Sequence, residues 1–177
     1  MISGKRYLIA ILIAICGTWT ACTQQRQLCL TPTVASLNIA SKHLITDTGT
    51  IFYDTVLPDA EFVPLNKNNG SAIVDSIIYP QASTFTISLS PASDTCRWLF
   101  RADTTGILPR DYAYDTLTFV YKRDLQFLSN ACGYTDFYTL DTVLTSHTNI
   151  DSVHITNTSV TNDVSAMHLQ IYIHPDF

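Results

Sequence analysis

The chain has 177 residues, of which 46% are hydrophobic, 11% aromatic and 14% charged, with a formal charge of −5. That length and apolar content suit one domain with a real core and exclude a disordered polypeptide; ten Lys and Arg against fifteen acids leave no basic footprint for nucleic acid. Every acid but Glu61 is Asp, and Ser and Thr supply 38 residues, a stock of turn formers and β-branched side chains that favours strands over helices.

Residues 1–21 read as an export signal: Lys5 and Arg6 precede an apolar run over 7–16 that is too short for a bilayer span of about 20 residues. Small Ala21 directly before Cys22 resembles the bacterial lipobox, in which the Cys is acylated and becomes the first mature residue, although Trp19 stands where that pattern usually has Leu. An ordinary secretory signal cut nearby is the alternative. The resemblance implies a partner, the membrane, held through an N-terminal lipid; each buried acyl CH₂ contributes ~0.8 kcal/mol. Residues 22–30 then form the lipidated Cys and a short polar tether, and 31–177 a single β domain. Loss of Lys5 and Arg6 leaves the mature chain more acidic still. No acidic tag follows Cys22, so the expected location is the periplasmic face of the outer membrane rather than the cell exterior.

An oxidising envelope allows one disulfide among Cys29, Cys96 and Cys132. Cys96 lies in the strand-like run Thr95-Cys96-Arg97-Trp98-Leu99-Phe100 and reads as a small buried hydrophobe. Cys29 and Cys132 both adjoin loop-like sequence and are the expected pair, closing a loop of about 100 residues and stabilising the fold by up to ~4–5 kcal/mol. No C-x₂-C spacing supports a metal site.

Along the mature chain, alternation dominates. Ala35, Leu37 and Ile39 come first, followed by strand candidates at 52–57 and 73–79. Phe85, Ile87 and Leu89 alternate next, then 96–102, then Leu117, Phe119 and Tyr121. Candidates at 134–144 and 151–156 precede the last alternation, Leu169, Ile171 and Ile173. Turn chemistry at 47–49, 66–70, 90–91 and 103–106 separates them. The pattern predicts an all-β fold, an antiparallel β-sandwich of about seven to nine strands, immunoglobulin-like or similar; a small closed β-barrel is the alternative.

Eight of the fourteen Asp are followed by Ser or Thr, where composition alone predicts about three. Most of this excess is turn-to-strand chemistry, Asp bonding the backbone and a β-branched residue opening the strand. Where an apolar residue follows, the motif also resembles the O-glycosylation acceptor of Bacteroidetes envelopes, which makes Thr55, Ser76, Thr116, Thr142 and Ser152 candidate acceptors.

Catalytic signals are weak by comparison. Asp47-Thr48-Gly49 matches the core of aspartic proteases but has no second copy, and reads better as a Gly-ended turn. His43, His147, His154, His168 and His174 show no metal-ligand spacing, and no nucleophile elbow, P-loop or dinucleotide fingerprint occurs. The loop 66–70 offers amide oxygens to calcium, yet Asn69-Gly70 is a hairpin turn first. Trp98, Tyr112, Tyr114, Tyr134 and Tyr138 could stack on sugars, with core packing the default for such residues in strands. No catalytic residue, metal ligand or cofactor is assigned.

Four blocks of the C-terminal half follow one order: 127–133 (FLSNACG), 137–140 (FYTL), 150–157 (IDSVHITN) and 168–173 (HLQIYI). Together with Cys29-Leu30 they resemble an uncharacterised family of small lipoproteins from Bacteroidetes, a domain of unknown function. The resemblance implies a β-rich envelope lipoprotein with a paired early and late Cys, and carries no catalytic or binding residues. The expected role is a non-enzymatic, membrane-tethered module that binds an envelope protein or glycan; a periplasmic hydrolase with a dispersed site around Asp47 or a His, and a purely structural lipoprotein, are the alternatives.

Overall fold

Thr, Ser and apolar residues in alternation produce eleven strands among the residues that the computed structural model describes: 28–45, 51–66, 70–71, 76–103 and 112–174. Cys22, Asp47 and Asp75 lie outside them. In chain order the strands are β1 (Leu37–Ile45), β2 (Ile51–Asp54), β3 (Leu57–Leu65), β4 (Ile77–Ala82), β5 (Thr84–Ile87), β6 (Thr95–Asp103), β7 (Tyr112–Ser129), β8 (Gly133–Thr145), β9 (Ile150–Ile155), β10 (Ser159–Val160) and β11 (Leu169–Ile173). The fold is all-β, and its two sheets make it a β-sandwich. One sheet runs β2-β1-β11-β9, with β5 also paired to β1, and the other runs β10-β8-β7-β6-β3-β4.

Two features depart from the expected pattern. β1 and β11 pair in parallel, from Ile39 opposite Leu169 to His43 opposite Ile173, which sets the first and last strands side by side in an otherwise antiparallel structure. β3 falls where no strand was expected, because Pro58, Asp59 and Pro64 all disfavour one. It forms in one unbroken register with β4: Pro58 pairs Gln81 and Ala60 pairs Tyr79, and the ladder skips only Asp59, which takes φ 44°.

The inner faces meet in one core. Leu37, Ile39, Phe85, Ile87, Leu169, Ile171 and Ile173 come from the first sheet, and Phe62, Phe100, Leu117, Phe119, Tyr121 and Leu140 from the second. Phe62 stitches the layers, its ring 5.3 Å from Phe85 and 5.1 Å from Phe100. Each such side chain contributes about 1.5–3 kcal/mol by leaving water.

β7 and β8 form the longest hairpin, turning through Gly133 at φ 73°, a left-handed conformation that glycine adopts without a Cβ clash. Only part of it is covered. Burial alternates along β7 up to Tyr121, after which Lys122, Arg123, Asp124 and Leu125 are all exposed. The hairpin therefore has a base inside the sandwich and an end that runs past it.

Candidate functional site

The outer face of the six-stranded sheet carries one polar–aromatic cluster, and strand register creates it. Glu61 on β3 stands opposite Arg101 on β6, which stands opposite Tyr114 on β7; one step along, Asp103 faces Tyr112. The Arg101 guanidinium donates to the Glu61 carboxylate and forms an ion pair with it. Its carbon also lies 5.2 Å from the centre of the Tyr112 ring, within cation–π range. Burial works against the Arg101 charge, but the bond from Glu61 and its charge outweigh this and raise the guanidinium above its ordinary range. Tyr112 and Tyr114 sit with ring centres 6.5 Å apart, and Tyr114 is exposed. Glu61 and Asp103 are buried although they lie on the outer face. A flat exposed ring beside a carboxylate and a guanidinium can stack on the apolar face of a sugar and bond its hydroxyls. Nothing local in the sequence links residue 61 to 101 and 114; the only advance signal is that Glu61 is the sole Glu.

The other aromatics divide. Trp98 and Tyr138 are core residues, whereas Tyr134 is exposed at the far end of the hairpin, its ring 5.1 Å from that of Phe127. At that end the structure joins Cys29 to Cys132, with Cα atoms 4.9 Å apart. Thr135 also donates its hydroxyl to the carbonyl of Thr33, so the segment leading into β1 is tied to the hairpin twice. Cys96 is a free thiol whose pKa burial pushes up, leaving it a poor nucleophile. Burial likewise raises the neighbouring Tyr121 phenol, with Cys96 adding to the effect, and the hydroxyl donates to the carbonyl of Ser90 at 3.0 Å.

Two buried polar groups have structural partners. The Asp115 carboxylate accepts from the Ser146 hydroxyl at 2.6 Å and from the backbone N–H groups of Thr148, Asn149 and Ile150 at 3.0, 2.7 and 2.9 Å. It thereby closes the connection from β8 to β9, in which His147 takes φ 56°. His168 is fully buried; its Nδ1 accepts from the Asn38 N–H at 3.1 Å, and its Nε2 has no partner among the described residues. Burial lowers its pKa, with the Ser159 backbone and the Asp163 charge opposing more weakly. The Asn38 side chain donates to the carbonyls of Val164 and Ala166 and accepts from the Thr86 hydroxyl, so this pair joins β1, β5 and the loop before β11.

The remaining candidates scatter. His154 on β9 and His174 after β11 are exposed, His43 on β1 is half-buried, and among the described residues no group of three or more His, Cys, Asp or Glu could hold a metal. Of the glycosylation motifs, Thr142 and Ser152 are exposed on β8 and β9. Ser76 and Thr116 are half-buried, and the Thr55 hydroxyl is buried without a partner among the described residues. Asp115, the acid of the Thr116 motif, is the buried loop acceptor just described.

Compared with known proteins, residues 65–173 match the model of a family of unknown function, DUF6452. No curated protein and no solved structure matches.

Proposed function

Given that the chain belongs to the DUF6452 family of unknown function, we propose that it is a cell-envelope lipoprotein of the Bacteroidetes type, acylated on Cys22 and held at the periplasmic face of the outer membrane, which binds another envelope component without catalysing a reaction. The observation that carries this reading is the separation of two ends along one hairpin. Cys29, seven positions after Cys22, is bonded to Cys132 at the end of β7–β8. The Glu61–Arg101–Tyr112–Tyr114 cluster lies at the opposite end of β7, about 50 Å away along the strand at about 3.3 Å per residue. An anchor at the first end holds the cluster clear of the bilayer, where it meets a partner. Its chemistry, an exposed tyrosine beside a charged pair, suits a glycan chain.

The experiment is chemical cross-linking in intact envelopes followed by mass spectrometry, with the wild type and Tyr114→Ala in parallel. The reading expects acyl groups on Cys22 and a cross-linked glycan or protein whose recovery falls about tenfold in the variant, the scale of a lost aromatic contact in a binding site. Recovery unchanged by the substitution, or no partner at all, overturns the binding role. An unacylated Cys22 overturns the anchor.

A further inference from the structure

We propose that the exposed end of the β7–β8 hairpin rests on the surface of a lipid bilayer, so that the protein meets the membrane through its own side chains as well as through its acyl group; this rests on the acylation of Cys22 proposed above. The starting observation is a group of large apolar side chains in water. Leu125, Phe127 and Tyr134 are 63, 53 and 67% exposed, and Leu28 and Leu30 are 79 and 85% exposed. They belong together: Phe127 stands opposite Tyr134 in the hairpin, Leu125 is one step inward on the same face, and Leu28 and Leu30 flank the Cys29 that is bonded to Cys132. Single exposed apolar residues need no explanation, but a cluster at one end of a domain marks a contact surface.

Chain length names the occupant. Between Cys22 and Leu28 the backbone reaches at most about 20 Å at ~3.4 Å per residue. With acyl chains in the bilayer, the disulfide end is thus confined to the neighbourhood of the headgroups, whereas the Tyr112 end is not. Tyr134 has the ring-plus-hydroxyl character of residues enriched at membrane interfaces. The charges at this end sum to a negative balance, Lys122 and Arg123 against Asp94, Asp124, Asp136 and Asp141, with Arg123 donating to Asp94 and Lys122 paired with Asp141. A zwitterionic surface therefore suits it better than an anionic one. The turn presents exposed Asn130, so the hairpin lies with its Phe127–Tyr134 face against the headgroup region, at the shallow depth of about 5–10 Å typical of interfacial elements, and does not pierce the bilayer.

The test uses the full acylated protein in phosphatidylcholine vesicles containing lipid brominated on the acyl chains near the headgroup. Trp98, buried in the core, is the only tryptophan after residue 21 and supplies a constant background. Phe127→Trp reports on the hairpin end, and Leu144→Trp, exposed about 33 Å away along β8, reports on the other. The inference expects brominated lipid to cut the added emission of Phe127→Trp about twofold and to leave that of Leu144→Trp unchanged. Acyl mass on Cys22 with neither added indole quenched overturns it and leaves the anchor standing. Absence of acyl mass overturns the anchor, and this inference with it. A dimer that buries the indole of the Phe127→Trp variant in the vesicles would assign the patch to a second copy of the chain and also overturn it.

Discussion

The two ends of the β7–β8 hairpin solve one problem in different ways. Each must hold a distant segment: at one end the connection from β8 to β9, at the other the segment that precedes β1. Near the start of β7 the tie is a carboxylate, Asp115, only 1% exposed, gathering three backbone N–H groups and the hydroxyls of Thr145 and Ser146. At the turn the tie is covalent, Cys29 to Cys132, with exposed side chains around it. The difference follows from water. A buried hydrogen bond has no solvent to compete with and is costly to leave unmade, so a few of them close a loop. An exposed end can trade such bonds for water at little cost, and there a bond that survives hydration is needed.

The sharpest way to break this comparison is to remove the covalent tie. Cys29→Ser with Cys132→Ser, measured by urea unfolding of the protein, should cost about 4–5 kcal/mol, the loop-closure entropy of about 100 residues in the chain-entropy model. A loss below about 1 kcal/mol would mean that the Thr135–Thr33 bond and packing already hold that end. At the opposite end, Asp115→Asn keeps the side-chain volume but replaces one acceptor oxygen by a donor facing N–H groups. The expected loss is about 2–3 kcal/mol. Hydrogen exchange localises it: the amides of Thr148, Asn149 and Ile150 should lose protection while those of Phe119 and Tyr121 keep theirs. Unchanged protection at all three would show that the loop closes without the carboxylate.

How much of this is legible in the sequence depends on whether a feature is local. Leu169, Ile171 and Ile173 alternate plainly and all three are core residues, and the same holds for Leu117, Phe119 and Tyr121. β3 was invisible because Pro58 and Pro64 argue against a strand, whereas the pairing of Phe62 with Phe100 and its burial against Phe85 override local preference. The parallel pairing of β1 with β11 joins the two ends of the described chain, and no residue near either strand announces its partner. The Glu61–Arg101–Tyr114 cluster was missed for the same reason: it exists only once two strand registers are set. Along β7, alternation continues past Tyr121 to Leu125 and Phe127, so periodicity names the inward face correctly but is silent on where the facing sheet stops covering it.

A smaller effect, on pH, probes the covered part of the molecule. The folded state holds His168 neutral, because burial disfavours the imidazolium and its Nδ1 accepts from Asn38. In the unfolded chain the same histidine takes up a proton near pH 6.5. Below that pH the unfolded state binds more protons, so stability is complete above about pH 6.5 and falls on acidification until the lowered folded pKa is reached. The slope from this group is at most about 1.4 kcal/mol per pH unit. Denaturant melts between pH 7 and 5 should show it, and His168→Gln should reduce it; an identical slope in the variant would assign the dependence to other groups.

The smallest expected effect carries the most information about the exposed end. Phe119 and Phe127 lie on the same strand and the same inward-facing alternation, but Phe119 is fully buried and Phe127 is 53% exposed. Phe127→Ala should leave no closed cavity, because half of the side chain faces water and its ring packs against the exposed ring of Tyr134. The change in folding stability should be within about 0.5 kcal/mol, as for a surface site. A loss of about 3 kcal/mol or more, the range of a buried Phe→Ala, would mean that something covers this end in solution and that its apolar character serves the fold. A near-zero value leaves Phe127 without a role in stability, as expected for an apolar cluster with Leu125 and Tyr134 that the fold does not cover. Their exposed apolar surface is then free for the bilayer contact proposed above.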